Sequence, residues 1–263
     1  MSNQRRLPQE MCDHIIDLFY DDPETLKRCS LVSKSWVTRT QNHLFSDIAL
    51  TPVNYPKWRK TFPDSTNSPA CHTRVLTVDG ILRDAGDVGW IQNFSCVERL
   101  IVIDHRRGAA GPDGGVPYLV PFYRLAHSLK SLRVHDILFP HPEFFNLICS
   151  LPLLEDLAIN FCETYNTSDR WDATRLPTPT PSPALTGTLD LRALINLGGV
   201  PRFLLGLRGG LRFRKIKILC FGGGWDPTPV EELVAACSDT LEYFDVSSEP
   251  MVRLVLFLCQ ASR

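Results

Sequence analysis

The sequence predicts an α/β protein in which a short helical N-terminal unit precedes a parallel β-sheet. Two observations support this prediction. In residues 9–46 apolar side chains recur three or four positions apart, which is the period of a helix. After residue 72, six-residue stretches with apolar residues at positions 1, 4 and 6 recur every 24 to 32 residues, with helix-like segments between them. Strands that alternate with helices at such intervals favour parallel pairing.

The composition bounds the possible partners. The chain has 263 residues, of which 44% are hydrophobic and 22% charged, and its formal net charge is −1. A net charge this close to zero creates no electrostatic field that would attract nucleic acid or an anionic membrane, so we expect neither as a partner. The start has no apolar signal segment, and the apolar run at 254–259 is too short to cross a bilayer. We therefore expect a cytoplasmic or nuclear protein.

The residues that usually carry chemistry show no recognisable arrangement. The nine cysteines are scattered without a CxxC pair, which is typical of reduced cysteines in a core. The histidines lack ligand spacing, and the motifs GxxxxGK[ST], GxGxxG, GxSxG and HExxH are absent from the sequence. We expect no catalytic residue, no metal and no cofactor. A Cys/His pair that meets only in the folded chain stays open.

Three short helices are predicted in the first fifty residues. The first follows Pro8 and carries one apolar stripe, formed by Met11, Ile15, Leu18 and Phe19. The second begins at the N-cap Asp22, with Pro23 in its first turn, and turns Leu26 and Cys29 inward. The third follows Ser33 and has one face formed by Trp36, Val37, Thr40 and Leu44.

These helices total about 40 residues, and units of that size are marginally stable unless something else supports them. Trp36 therefore either holds a very small core together or is partly presented to another protein. The sequence alone leaves both interpretations open.

The same residues resemble the F-box family, whose pattern runs LPxE, a helix, a short Leu-containing helix and VSxxW. The resemblance covers residues 7–46 and rests on Leu7-Pro8, Glu10, Ile15-Ile16, Leu18, Leu26, Leu31-Val32-Ser33, Trp36 and Phe45. The sequence departs from the pattern at Met11-Cys12, where an aliphatic residue is more usual, and at Asp21-Asp22, where the first connection is shortened.

The resemblance implies that residues 1–50 dock on the Skp-type adaptor subunit of a cullin-RING ubiquitin ligase. The implied docking residues are Leu7, Pro8, Met11, Ile15, Leu26, Leu31, Val32 and Trp36. The alternative is that all of these side chains form the internal core of a helical N-terminal domain.

Seven strands are predicted at 73–78, 97–102, 129–134, 154–159, 186–191, 213–218 and 241–246. The two longest intervals contain Gly- or Pro-rich insertions, at 105–117 and 164–184. Helices are expected at 116–129, 141–154, 226–240 and 249–259, and residues 51–72 are expected to be a loop-rich connection. The Thr-Pro and Ser-Pro pairs at 178–183 are candidates for proline-directed phosphorylation.

Residues 73–263 are similar to the irregular leucine-rich-repeat region that often follows an F-box. The resemblance implies an α/β solenoid with a parallel sheet, and a compact α/β domain is the alternative. One repeat places Cys162 where the repeat family has Asn or Cys, whereas other repeats have different residues there. Regular horseshoe curvature is therefore not implied.

In such a sheet, positions 5 and 7 of each repeat face away from the core. The first row is Thr77, Ile101, Arg133, Ala158, Asp190, Lys217 and Asp245, and the second is Asp79, Ile103, His135, Asn160, Arg192, Leu219 and Ser247. We expect this face to bind a substrate protein of unknown identity through Ile101, Ile103, Arg133, His135, Asn160, Arg192, Lys217 and Asp245. The alternative is a solvated face without a partner.

Together these features indicate a substrate-recognition subunit of an SCF-type ligase, without catalytic chemistry of its own, that bridges the adaptor and cullin to a target. One alternative is an interaction scaffold with no role in ubiquitination. The other is an unrecognised α/β enzyme, which predicts a deep pocket lined by perturbed titratable groups.

Overall fold

The structure is a computed structural model that describes residues 7–62, 68–80, 89–103, 120–136, 138–139, 141–160, 163–164, 183–193, 199–207, 211–220, 227–248 and 252–256. The insertion at 105–117, most of that at 164–184, Cys162 and nearly all of the 178–183 segment lie outside the described residues. In the described part of the chain, no helix combines the length and apolar character needed to span a membrane.

The three predicted N-terminal helices are confirmed as α1 (Gln9–Asp17), α2 (Pro23–Cys29) and α3 (Lys34–Leu44). Asp22 caps α2, since its carboxylate accepts hydrogen bonds from the backbone N–H groups of Glu24 and Thr25 at 3.2 and 3.1 Å. The Ser33 hydroxyl caps α3 by accepting from the N–H of Ser35 at 3.1 Å. These caps satisfy backbone donors that the first helical turn leaves free.

A nine-stranded open sheet follows. In their order across the sheet, the strands are β1 (Asp47–Leu50), β2 (Val75–Asp79), β3 (Arg99–Ile103), β4 (Ser131–His135), β6 (Asp156–Asn160), β8 (Thr188–Ala193), β9 (Lys215–Cys220), β10 (Tyr243–Ser248) and β11 (Val252–Leu256). The first eight of these strands are parallel, and the last pairs antiparallel with its neighbour. A separate pair joins β5 (Leu138–Phe139) to β7 (Glu163–Thr164). All seven strands predicted from the repeat are confirmed.

The strands pair in one constant register along the repeat. Position 4 of every predicted stretch is aligned across the sheet, giving the row Leu76, Leu100, Leu132, Leu157, Leu189, Ile216 and Phe244. The unequal spacing in the sequence therefore leaves the strands in phase, because the additional residues of the long intervals lie between strands.

Helical segments between the strands cover the face that carries positions 4 and 6. The α-helices are α4 (Tyr55–Thr61), α5 (His141–Cys149), α6 (Gly199–Leu205) and α7 (Thr228–Ala236), and 3₁₀ turns span Pro69–His72, Gly89–Asn93 and Val120–Leu125. Their side chains and the strands form one continuous core, whose largest fully buried members are Phe94, Phe122, Phe144, Phe145, Phe203 and Phe213. Burial of positions 4 and 6 against this layer is what holds the parallel strands in place.

Two segments differ from the prediction because an apolar run does not by itself distinguish a helix from a strand or a turn. Residues 249–259 were expected to be a helix, but Val252–Leu256 is strand β11, which pairs back on β10 through a short connection. Residues 116–129 were also expected to be helical, and the described part forms only a 3₁₀ turn. Pro121 lies in this turn and lacks the N–H that an α-helix would use.

The boundaries around the connection also differ. Residues 47–50 were assigned to the helical unit, yet they form β1, and Ile48 and Leu50 belong to the core of the sheet. The connection at 51–72, expected to be loop-rich, contains α4 and a 3₁₀ turn. Tyr55 and Trp58 pack against the core, which explains why this segment forms the helix α4.

The residue just before each strand repeats the same backbone contact. The carbonyl of Arg74 accepts from the N–H groups of Glu98 and Arg99, both at 2.9 Å, and the carbonyl of Arg214 accepts from Glu242 and Tyr243 at 2.8 and 3.1 Å. The side chains at this second repeat position alternate in charge, except at one glycine, in the order Arg74, Glu98, Lys130, Glu155, Gly187, Arg214 and Glu242. Opposite charges are thus neighbours across the strands, as in the ion pair of Lys130 with Glu98 at 3.7 Å.

Candidate docking surfaces

Most of the large apolar side chains that are exposed in the described part of the molecule lie in the N-terminal helical unit. Among the described residues eight such side chains are exposed, and six of them lie between residues 7 and 32. We call these six the N-terminal apolar surface. It comprises Leu7, Met11, Leu18, Tyr20, Leu31 and Val32. Leu7 is 57% exposed and Leu31 85% exposed, so neither is sealed inside the chain.

The apolar surface lies beside a very small helical core. Helix α1 buries Cys12 and Ile16, whereas Met11 on the same helix and Leu18 at its C-cap are exposed. The other buried side chains of this unit are Leu26, Cys29 and Thr40. Cys12, Ile16, Leu26 and Cys29 are not part of the continuous core of the sheet. The helical unit therefore keeps more of its large apolar side chains outside than inside.

Most of the expected docking residues reach the surface. Leu7, Pro8, Met11, Leu31 and Val32 are exposed, and Ile15 and Trp36 are half-buried. The alternative that all of these residues are internal core is therefore wrong for the exposed ones. Leu26 requires the opposite correction. It is 1% exposed, because α2 turns it inward together with Cys29, so its side chain cannot reach a partner.

An ionic cluster fixes α1 against α3. The Asp17 carboxylate accepts from the Arg39 guanidinium at 2.6 and 2.5 Å, and Nε2 of His43 lies 2.7 Å from Asp17 Oδ1. The hydrogen bond from Arg39 is the main reason why the pKa of Asp17 falls to about 2. This cluster was not predicted from the sequence. The only signal for it is that Arg39 and His43 share one face of α3 at a spacing of four residues.

An aromatic cluster attaches the helical unit to the sheet. The ring of Trp58 in α4 lies 4.8 Å from that of Phe62 and stacks on Phe94 at 6.0 Å, while Phe45 at the end of α3 lies 6.3 Å from Trp58. Aromatic rings at such distances contribute beyond their buried area. The sequence predicted no role for Trp58, because two of its ring partners, Phe45 and Phe94, are distant from it in the chain.

The second candidate surface is the open face, which we define as positions 3, 5 and 7 of the repeat on strands β2 to β10. The register confirms both predicted rows, since each residue lies opposite the next along the sheet. Arg133 and Lys217 are exposed, and Ile101, Ile103, His135, Arg192 and Asp245 are half-buried. Asn160, an expected substrate contact, is only 4% exposed, because it lies between larger side chains on β4 and β8.

Several polar groups of the open face bind each other. The Arg192 guanidinium donates to both carboxylate oxygens of Asp190, at 3.0 and 3.1 Å. The Tyr243 hydroxyl donates to Asp245 at 3.2 Å, and Lys217 Nζ lies 5.9 Å from the centre of the Tyr243 ring. These contacts hold the side chains of β8, β9 and β10 in defined positions.

The pKa values of one histidine and two buried cysteines in the sheet region do not favour nucleophilic chemistry. Burial, followed by the charge of Arg133, lowers the pKa of His135, so its ring is neutral at pH 7. Burial raises the pKa of the Cys149 and Cys220 thiols to about 11, which keeps them protonated. Within the described ranges, no group of three or more His, Cys, Asp or Glu side chains could hold a metal ion.

Two surfaces therefore stand out, one apolar and helical, the other a mixed polar and aliphatic sheet face. Both are broad surfaces of the kind that bind proteins. No protein-family model matches this chain, and neither a curated protein nor a solved structure matches it.

Proposed function

We propose that this protein is a substrate-recognition subunit of an SCF-type cullin-RING ubiquitin ligase. Its N-terminal helices act as an F-box that binds the Skp-type adaptor, and its sheet region is a leucine-rich-repeat-like solenoid that holds the target. The N-terminal apolar surface is the observation that carries the proposal. Six exposed large apolar side chains within 26 residues are hard to explain in a chain without a partner at that position.

The energetics of the helical unit support a docking role. Burying one Leu, Val or Met side chain contributes roughly 1.5 to 3 kcal/mol, so covering Leu7, Met11, Leu31 and Val32 would contribute several times that amount. The helices cannot bury these side chains themselves, since their small core is already filled by Cys12, Ile16, Leu26 and Cys29. A companion subunit that covers the apolar surface stabilises the helices as it binds.

The remainder of the chain serves as the target-binding part. All described helical segments that join the core lie against positions 4 and 6, and the opposite face presents side chains in ordered rows. The protein performs no chemistry itself and acts by proximity. It holds a cytoplasmic or nuclear target beside the ubiquitin-carrying enzyme, so that transfer becomes effectively intramolecular.

A binding assay with the purified adaptor tests the proposal. We expect the wild-type chain to bind, and the double change Leu31→Glu and Val32→Glu to weaken binding at least about a hundredfold, because two carboxylates would be buried in the apolar contact. Val53→Glu is the matched control, since Val53 is 88% exposed but lies outside the apolar surface. Pro8→Ala should weaken binding while circular dichroism shows an intact fold.

The outcomes separate the alternatives. Failure of the wild-type chain to bind the adaptor would end the ligase proposal. Adaptor binding without recovery of the cullin or ubiquitin transfer to a bound protein would favour an interaction scaffold. Equal loss of binding with Val53→Glu would show that the assay reports general surface charge and not the apolar surface.

A further inference from the structure

The two halves of the open face differ in how their cations are balanced. On the β8 to β10 half, Lys217 lies in register between Asp190 and Asp245, and Asp190 also holds Arg192. Lys217 and Arg192 thus each have a carboxylate next to them, whereas Lys215 at position 3 of β9 lies in register between Thr188 and Tyr243. An acidic partner would gain little here, because the carboxylates of the face would repel it.

On the β3 to β4 half the cations have no such neighbours. Arg99 lies in register between Val75 and Ser131, and Arg133 lies between Ile101 and Ala158. Both guanidinium groups are exposed. In the part of the chain that the structure describes, neither forms an ion pair. Two uncompensated arginines therefore face outward on neighbouring strands.

The same half carries the aliphatic side chains of the face. Ile101 and Ile103 are two positions apart on β3, so both lie on the open face. Both are half-buried, so part of each side chain remains accessible. Arg133 is directly across from Ile101, about 5 Å away at the backbone, and Arg99 is two residues before it, roughly 7 Å along the strand. An apolar group placed on Ile101 thus has a guanidinium on two sides.

We propose that this half of the open face, formed by Arg99, Ile101, Ile103 and Arg133, binds an extended acidic segment of the partner protein. In that segment an aliphatic or aromatic side chain packs on Ile101 and Ile103, and carboxylates on neighbouring residues bind Arg99 and Arg133. Arginine pairs with carboxylate through two parallel hydrogen bonds, so the contact selects charge and direction together. Asp79 lies beside Ile103 and disfavours a carboxylate at that end.

The inference rests on the proposed function only in calling the bound segment part of a ubiquitination target. Binding itself requires only the sheet and can be measured without the adaptor. A peptide library displayed on phage is therefore selected on the purified full chain, and the enriched peptide is synthesised with a fluorescent label. We expect enriched sequences to place Asp or Glu next to Leu, Ile, Val or Phe.

Two double variants provide a matched comparison by fluorescence anisotropy. Arg99→Glu with Arg133→Glu should weaken peptide binding about tenfold or more, since attraction becomes repulsion. Arg212→Glu with Lys215→Glu changes the net charge equally at two exposed residues outside the proposed contact and should leave binding within about twofold. Binding to the wild-type chain should also weaken as salt rises from 0.05 to 0.5 M, as expected for about one to two screened ion pairs.

Each contrary result overturns the inference. These results are a library that enriches no peptide, enriched peptides without an acidic bias, or an equal loss of binding in the two double variants. Adaptor binding measured on the same preparations reports on the proposed function separately. A chain that binds the adaptor but no acidic peptide would retain the ligase role and lose this assignment of its open face.

Discussion

The helical N-terminal unit and the sheet region treat their apolar residues in opposite ways. The sheet region places its large side chains in one continuous core, including six fully buried phenylalanines. The helical unit buries only Cys12, Ile16, Leu26 and Cys29, and leaves Leu7, Met11, Leu31 and Val32 outside. The difference shows that apolar content alone does not indicate a core. A self-sufficient core uses its largest side chains inside, whereas the proposed docking unit leaves several large apolar side chains at its surface.

The largest effect is expected from a change inside the sheet core. Phe145 in α5 is fully buried, and its ring lies 4.0 Å from that of Phe203 in α6. Phe145→Ala should lower the free energy of unfolding by about 3 to 5 kcal/mol, because it leaves a large cavity. Urea denaturation followed by circular dichroism measures it. Leu153→Ala, at an exposed position, is the control, and a loss below about 1 kcal/mol for Phe145→Ala would contradict a continuous core.

A comparable change in the helical unit should act locally. Ile16 is fully buried in α1, and Ile16→Ala should cost about 2 to 4 kcal/mol in that unit. Hydrogen exchange should then speed up at amides 9–44, while strands β2 to β10 keep their protection. Leu18→Ala, at the exposed C-cap of the same helix, should change neither. Loss of protection throughout the sheet would show that the two regions unfold as one.

A smaller effect is expected at the glycine that interrupts the charge alternation. A Cβ atom on Gly187 would lie 2.2 Å from Asp156 Oδ1 and 3.2 Å from the Glu155 carbonyl oxygen. Gly187→Ala should therefore cost about 1 to 3 kcal/mol, because Asp156 must move away from the Thr188 N–H that it accepts from at 2.6 Å.

Gly206→Ala is the matched control for this change. Its nearest atom would be the Phe203 carbonyl oxygen at 3.3 Å, so its cost in urea denaturation should be clearly smaller. An equal effect of the two substitutions would mean that the close approach at Gly187 is not what requires glycine.

The smallest expected effect is the pH dependence of stability that Asp17 gives to the helical unit. The folded state lowers the pKa of Asp17 from 3.8 to about 2, chiefly through its hydrogen bond from Arg39. Folding thus favours the ionised carboxylate. The contribution is complete above about pH 4 and is lost as the pH falls through about 2. Because the group is partly exposed, we expect only about 1 kcal/mol.

Amide signals of α1 and α3, followed by NMR from pH 5 to 2, test this expectation. They should show the acid loss in the wild-type chain and a flatter response in Asp17→Asn. Asp13→Asn, one turn earlier on the same helix, is the control. A response in Asp17→Asn as steep as in the wild type would exclude Asp17 as the origin of the acid sensitivity.

How far the sequence predicts the fold differs between the regions. The seven strands were predictable because positions 4 and 6 of every repeat are apolar, and the structure buries Leu100 and Val102 as that pattern requires. Strand β11 was not predictable, since the short apolar run Val252–Leu256 is compatible with a helix as well as with a strand. Its strand form depends on the free edge of β10.

The candidate surfaces were predictable to a similar degree. Both rows of the open face follow from the alternation of side chains along a strand, and the register confirms them. The burial of Asn160 does not follow, because it depends on the bulk of its neighbours on β4 and β8. The inward direction of Leu26 follows from helical period, whereas its use in docking came only from the resemblance and does not fit the burial.

The sequence alone determined the positions of the strands, their side-chain alternation and the starts of α2 and α3, since these depend on neighbouring residues and local hydrogen bonds. Only the tertiary structure decided which apolar residues remain outside, how Asp17 meets Arg39 and His43, and which arginines lack a carboxylate beside them. These features depend on residues far apart in the chain, whose separation sequence periodicity does not encode. The contrast between a filled core and an open apolar surface is therefore a property of the packing.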